Sequence, residues 1–142
     1  MAELDPLIRL YQKRVDDKQR VLADLYRTVE ELEGRKQAML DEIESESKVV
    51  ESENSIDTQS FFGAYVEGMR KKIARVDDEL HKMELLVNAA REEVREGFAE
   101  LKKVELTAEA RAEVEAKKLA KKDSDLMDEI GLDAFRRQQE ED

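Results

Sequence analysis

The chain has 142 residues, 43% of them charged, with one Pro, no Trp and a formal net charge of −11. Average domains carry about 25% charge, so the excess leaves too few apolar residues for a core several layers deep, but enough for a narrow seam. The acidic balance opposes nucleic-acid binding, which needs a basic footprint, and adsorption to an anionic membrane. The lack of Cys removes disulfides, thiolate metal sites and thiol nucleophiles.

The first residues lack a basic segment followed by an apolar run, so no signal peptide is expected. No stretch approaches the roughly 18 consecutive apolar residues of a membrane span. These features predict a soluble, cytoplasmic chain without direct lipid insertion, folded as a single coiled-coil domain over residues 1–142.

Asp5 and Pro6 open the first predicted helix, over residues 4–50. Asp can cap free amides, and Pro suits the first helical position because its missing N–H costs nothing there. From Leu4 the chain can be read in alternating steps of four and three through Ile8, Tyr11, Val15, Lys18, Leu22, Leu25, Val29, Leu32, Lys36, Met39, Ile43, Glu46 and Val50. Lys18, Lys36 and Glu46 depart from apolar character. A long Lys stem can lie along a seam while its ammonium reaches water. Residues 51–60 are rich in Ser, Asn, Asp and Thr, which compete with helix through local hydrogen bonds. The turn is expected there, with Ser55, Asp57 or Thr58 capping the second helix.

The second helix, expected over residues 61–122, carries the strongest signal. Phe62, Val66, Met69, Ile73, Val76, Leu80, Met83, Val87, Ala90, Val94, Gly97, Leu101, Val104 and Ala108 follow the same steps, and only Gly97 is not apolar. A step of about 3.5 residues is the coiled-coil seam rather than the 3.6 of an ordinary helix. Folding the chain at the turn pairs Val50 with Phe62, Leu32 with Leu80, Leu22 with Ala90 and Leu4 with Ala108. The matched seams predict an all-α fold in which two long helices form an antiparallel coiled-coil hairpin within one chain, a monomer when free. Val15 then faces Gly97, leaving space for Tyr11 or Phe98. After Ala108 the first helix has no residues left, so the second should overhang. A short helical element is expected over residues 123–142, with Gly131 ending or bending a helix and the last residues, Glu140 to Asp142, fraying.

The sequence carries no motif with catalytic or metal-binding spacing. His81 should face solvent, away from any cleft that would tune it. Asp123, Asp125, Asp128 and Glu129 lack the third ligand and the turn glycine of a calcium loop. No phosphate loop or nucleophile motif occurs. An enzyme, a cofactor and a metal are therefore not expected. Val49, Phe61, Tyr65, Leu86 and Phe98 flank the seam, either widening it or offering a partner surface. The lysines Lys117, Lys118, Lys121 and Lys122 form either a solvated face or a contact for an acidic partner.

The run Leu7 to Leu25 and the run Leu126 to Arg137, with Asp128 and Glu129 before an apolar residue and then Arg136 and Arg137, resemble the opening and closing segments of the FliJ family of flagellar export proteins. The resemblance implies a non-enzymatic component of the flagellar type III export apparatus. Such a component is held at the cytoplasmic membrane peripherally, through the apparatus. It implies that the base inserts into the hexameric export ATPase, near Ile8, Arg9, Lys13, Arg14, Lys117, Lys118 and Lys121. The tip, near Val49, Phe61, Phe62 and Tyr65, would contact the export-gate membrane protein. It also implies a general chaperone role toward export substrate chaperones. An injectisome counterpart of the same architecture and a structural coiled-coil spacer are the alternative readings.

Overall fold

The computed structural model describes residues 3–53 and 55–141. Two α-helices account for nearly all of them, α1 at Asp5–Glu53 and α2 at Ile56–Glu141, and among the described residues there is no strand. They pack as a helical hairpin, the expected all-α class.

The helix starts refine the expected caps. The Leu4 carbonyl accepts the Ile8 amide at 2.9 Å, so Leu4 rather than Asp5 occupies the capping position. Asp5 falls in the first turn, where its carboxylate complements the helix dipole, and Pro6 follows where an N–H would have no partner. The Ser55 carbonyl accepts the Gln59 amide at 3.0 Å, which makes Ser55 the cap of α2 among the three candidates.

The ten-residue turn expected over 51–60 is a correction. α1 continues to Glu53 and α2 resumes at Ile56; Asn54, within the expected turn, lies outside the described residues. Ser52 turns its hydroxyl back to the Val49 carbonyl at 2.7 Å, a bond compatible with helix. Asp57 and Thr58 suit the first turn of α2 as well as they suit a loop, which is why composition misplaces the boundary.

The separate element at 123–142 is likewise corrected, because α2 runs through Gly131 to Glu141. A glycine interior to a helix costs about 1 kcal/mol relative to Ala, too little to stop a helix flanked by Leu, Asp, Ala and Arg. Glu140 and Glu141 are helical rather than frayed; Asp142 lies outside the described residues.

Two compact units are distinguished by their internal packing, residues 14–97 and residues 1–13 with 98–142. In the first, Val15, Leu32, Met69, Val76, Val87 and Ala90 form the buried apolar core. Lys18 and Lys36 lie half-buried in the seam and reach acids on the facing helix, Nζ to Glu93 at 3.3 Å and to Asp77 at 2.7 Å. Glu46 does not behave this way. It is exposed, and Ser47 takes the half-buried place between Ile43 and Val50. A carboxylate in the seam would need a cation, and none pairs with Glu46 among the described residues; a serine hydroxyl is cheaper to desolvate.

Gly97 permits a close approach of the two helices. A Cβ placed there would lie 3.3 Å from Val15 Cγ2 and 3.3 Å from Lys18 Cδ. Val15 and the Lys18 stem therefore take up the space at Gly97, and Phe98 is 47% exposed. In the second unit Leu4, Ile8 and Tyr11 of α1 are half-buried, as are Leu101, Val104, Glu105 and Ala108 of α2, and from Glu109 to Glu141 every residue is exposed.

The close approach gives a paired test. Gly97→Leu should destabilise the chain by about 1–3 kcal/mol through overpacking. Gly34→Ala, at a position with nothing within 4 Å of the new carbon, should gain about 1 kcal/mol of helix propensity. Urea unfolding followed by circular dichroism reads both; a neutral Gly97→Leu would mean that the helices do not meet at that glycine.

Candidate partner-binding surfaces

A hairpin with one stripe of core leaves most side chains in water, so its candidate sites are exposed apolar or charged patches rather than clefts. In the unit of residues 14–97, the helix ends near the turn carry Val49, 49% exposed, and Phe61, 78% exposed. Phe62 and Tyr65 are half-buried beside them, with ring centroids 6.4 Å apart. Of the four residues expected to meet a gate, two are thus free apolar surface and two are partly core. Ile56, 86% exposed, belongs with the free pair. Sequence reasoning missed it because it placed position 56 inside a polar turn.

Tyr65 has a further peculiarity. Its hydroxyl oxygen is buried and has no partner of ordinary hydrogen-bond geometry. Removal from water pushes its pKa above the usual tyrosine value, and the nearby carboxylates of Glu42 and Glu46 push it the same way, Glu42 also favouring the protonated hydroxyl.

Farther along this unit Arg91 brackets Tyr26. Its Nε donates to the Tyr26 hydroxyl at 2.7 Å, and its guanidinium carbon lies 5.6 Å from the ring centroid. Neither residue is on the seam, and no periodic signal would have found the pair. His81 faces solvent as expected, its side chain 74% exposed with Nδ1 3.8 Å from Glu84. Leu86, beside the seam, is 52% exposed and does not widen the core; Tyr65 does.

The residues expected near an ATPase fall on several stretches of the two helices. Ile8 is half-buried and borders a groove with Lys102, Glu105, Ala108 and Ala112. Arg9 and Lys13 are exposed on the same stretch of α1. Arg14 falls in the unit of residues 14–97. Lys117, Lys118 and Lys121 lie beyond Arg111, the last α2 residue bordering a groove with Leu4 and Leu7. At about 1.5 Å per residue, Lys117 is roughly 9 Å past that contact along the helix. Around these lysines the helix also exposes Leu119 (62%), Leu126 (56%), Met127 (68%) and Ile130 (55%).

Among the described residues no group of three or more His, Asp or Glu is placed to hold a metal ion. No described helix is long and apolar enough to cross a membrane.

The family model of the flagellar FliJ protein matches residues 1–140. The chain belongs to the FliJ family. Membership supports a component of the flagellar type III export apparatus. No curated protein and no solved structure matches the chain.

The tyrosine yields a pH test. A folded-state pKa raised above the unfolded one contributes stability present below the unfolded value and lost as pH rises through the folded one. Urea midpoints should therefore fall more between pH 9 and pH 11 (both bracketing the usual tyrosine value of about 10) in the natural chain than in Tyr65→Phe. Equal falls would mean that Tyr65 is not perturbed.

Proposed function

We propose that this FliJ-family chain is a non-enzymatic link in flagellar type III export, joining the hexameric export ATPase to the export-gate membrane protein. The observation that carries the reading is the exposed run from Glu109 to Glu141, read with the family match. A helix that displays Leu119, Leu126 and Ile130 to water beside Lys117, Lys118 and Lys121 is suited to a partner offering apolar grooves and acidic rims. Alignment of opposite charges would speed encounter and set orientation more than it would add affinity. The turn-end apolar residues Val49, Ile56 and Phe61 are the corresponding surface for the gate, where exposed aromatic and branched side chains supply desolvation energy. ATP hydrolysis belongs to the partner in this account, and the chain acts by differential contact with subunits in different states.

ATP turnover by the export ATPase of the same organism tests the reading. The full chain should stimulate turnover, and Lys117→Glu combined with Lys118→Glu and Lys121→Glu should abolish most of the stimulation while leaving helicity intact. Phe61→Asp should preserve stimulation and weaken binding to the cytoplasmic part of the gate protein. An ATPase competent alone and indifferent to the full chain would overturn the coupling and favour the chaperone role.

A further inference from the structure

The apolar stripe of α2 does not stop at Ala108. Ala112, Ala116, Leu119, Asp123, Leu126 and Ile130 succeed one another at steps of four or three, which keeps them on the face that carries the half-buried Leu101, Val104 and Ala108. Among the described residues nothing covers this continuation. Leu119, Leu126 and Ile130 remain more than half exposed.

The charges along the same helix are ordered in blocks. Lys117, Lys118, Lys121 and Lys122 come first, and Asp123, Asp125, Asp128 and Glu129 follow at once. A block order of this kind is complementary to itself only when reversed. A parallel neighbour of the same sequence would set lysines beside lysines and acids beside acids, which is unfavourable.

We propose that the exposed part of α2 docks onto the same part of a second copy of this chain, in antiparallel orientation. In that arrangement Leu119 stands opposite Ile130 of the partner subunit, and Leu126 opposite Asp123 of the partner subunit. Lys122, at the edge of the stripe, faces Glu129 of the partner subunit, and Glu115 faces Arg136 of the partner subunit. Two-fold symmetry repeats each of these pairs. The edge charges are thus matched in the register that also sets Leu119 against Ile130 of the partner subunit, which two independent requirements need not have shared. Ala120 and Met127 fill the other edge.

Asp123 is the central unfavourable member, a carboxylate set against leucine close to the two-fold axis; Asp133, opposite Ala116 of the partner subunit, is a second at the end of the contact. Asp123 holds the pair below the affinity that its apolar neighbours would give, so that association is reversible. The inference does not rest on the export reading; both use Leu119, Leu126 and Ile130, so a second copy and the ATPase would compete for that stripe, and only the lysines separate them. Lys117 and Lys121 lie on the far side of the helix from Leu119 and Ile130 at 3.6 residues per turn, so charge reversal there and charge reversal at Lys122 report on different faces.

Sedimentation equilibrium of the full chain over a concentration series, at low ionic strength, tests the proposal. The natural chain should show a monomer–dimer equilibrium that weakens with added salt. Lys122→Glu should weaken it by about tenfold through two like-charge contacts, and Lys122→Glu with Glu129→Lys should restore it. Asp123→Leu should tighten it. Circular dichroism confirms that each variant keeps its helices. A monomer at every concentration for both the natural chain and Asp123→Leu would overturn the proposal. So would a dimer unaffected by Lys122→Glu, or a double variant no better than the single one.

Discussion

A two-helix pair can bury only one stripe of each helix, and that constraint governs this protein. Among the described residues no third element covers a second face, so stability depends on a seam one or two residues wide. The burial pattern shows how sparse this is, since only six apolar residues become buried and no polar or charged one does among those described. Small changes of size therefore matter at the points of closest approach. Gly97 opposite Val15 is the clearest such point, because an added carbon meets a β-branched side chain that has little rotamer freedom in a helix. The two seam lysines are tolerated on different terms. Their stems stay in the seam and their ammonium groups find Glu93 and Asp77. Exposed pairs of this kind contribute about 0–1 kcal/mol, so their larger effect is on register: sliding either helix would separate both pairs at once.

The same constraint divides α2 into a satisfied and an unsatisfied part. Up to Ala108 its stripe is at least half-buried; beyond it the stripe persists without cover. A long solvated helix needs no apolar stripe, since Ala, Glu, Lys and Arg alone sustain helix propensity. Leucine, methionine, isoleucine and phenylalanine in this stretch are therefore unexplained by the fold and are the surface proposed above to meet a partner. The family match gives that partner a setting in flagellar export. The patch of Val49, Ile56 and Phe61 poses the same question in the other unit, with a different surface chemistry: apolar residues without a lysine block.

Much of the fold was legible because a step of about 3.5 residues has few causes. Every position from Phe62 to Ala108 assigned to the seam is buried or half-buried. The cross-hairpin pairing of Val15 with Gly97 also follows from matched seam lengths, and the geometry shows it. What was misread has local reasons. The residues that cap a helix are the residues that make loops, so the turn looked ten residues long. Gly131 resembles a stop signal, but a stop also requires the left-handed backbone that this glycine does not adopt. Glu46 and Ser47 differ by one step, and only the absence of a facing cation decides between them. The surfaces were less legible. Ile56 hid inside the supposed turn, and the Tyr26–Arg91 bracket leaves no periodic trace. The grouping of Arg14 with Lys117, Lys118 and Lys121 came from family likeness, which carries no distances.

On this reading the hairpin is complete in itself and the exposed part of α2 is completed by a partner. Amide hydrogen exchange of the full chain, resolved by peptide, measures this directly when run with and without the export ATPase at a dilution that keeps the chain monomeric. Slow exchange around Leu32, Val76 and Val87 in both conditions is expected, with fast exchange over residues 109–141 that slows on adding the ATPase. Unchanged exchange over residues 109–141 in the presence of a bound ATPase would contradict the claim.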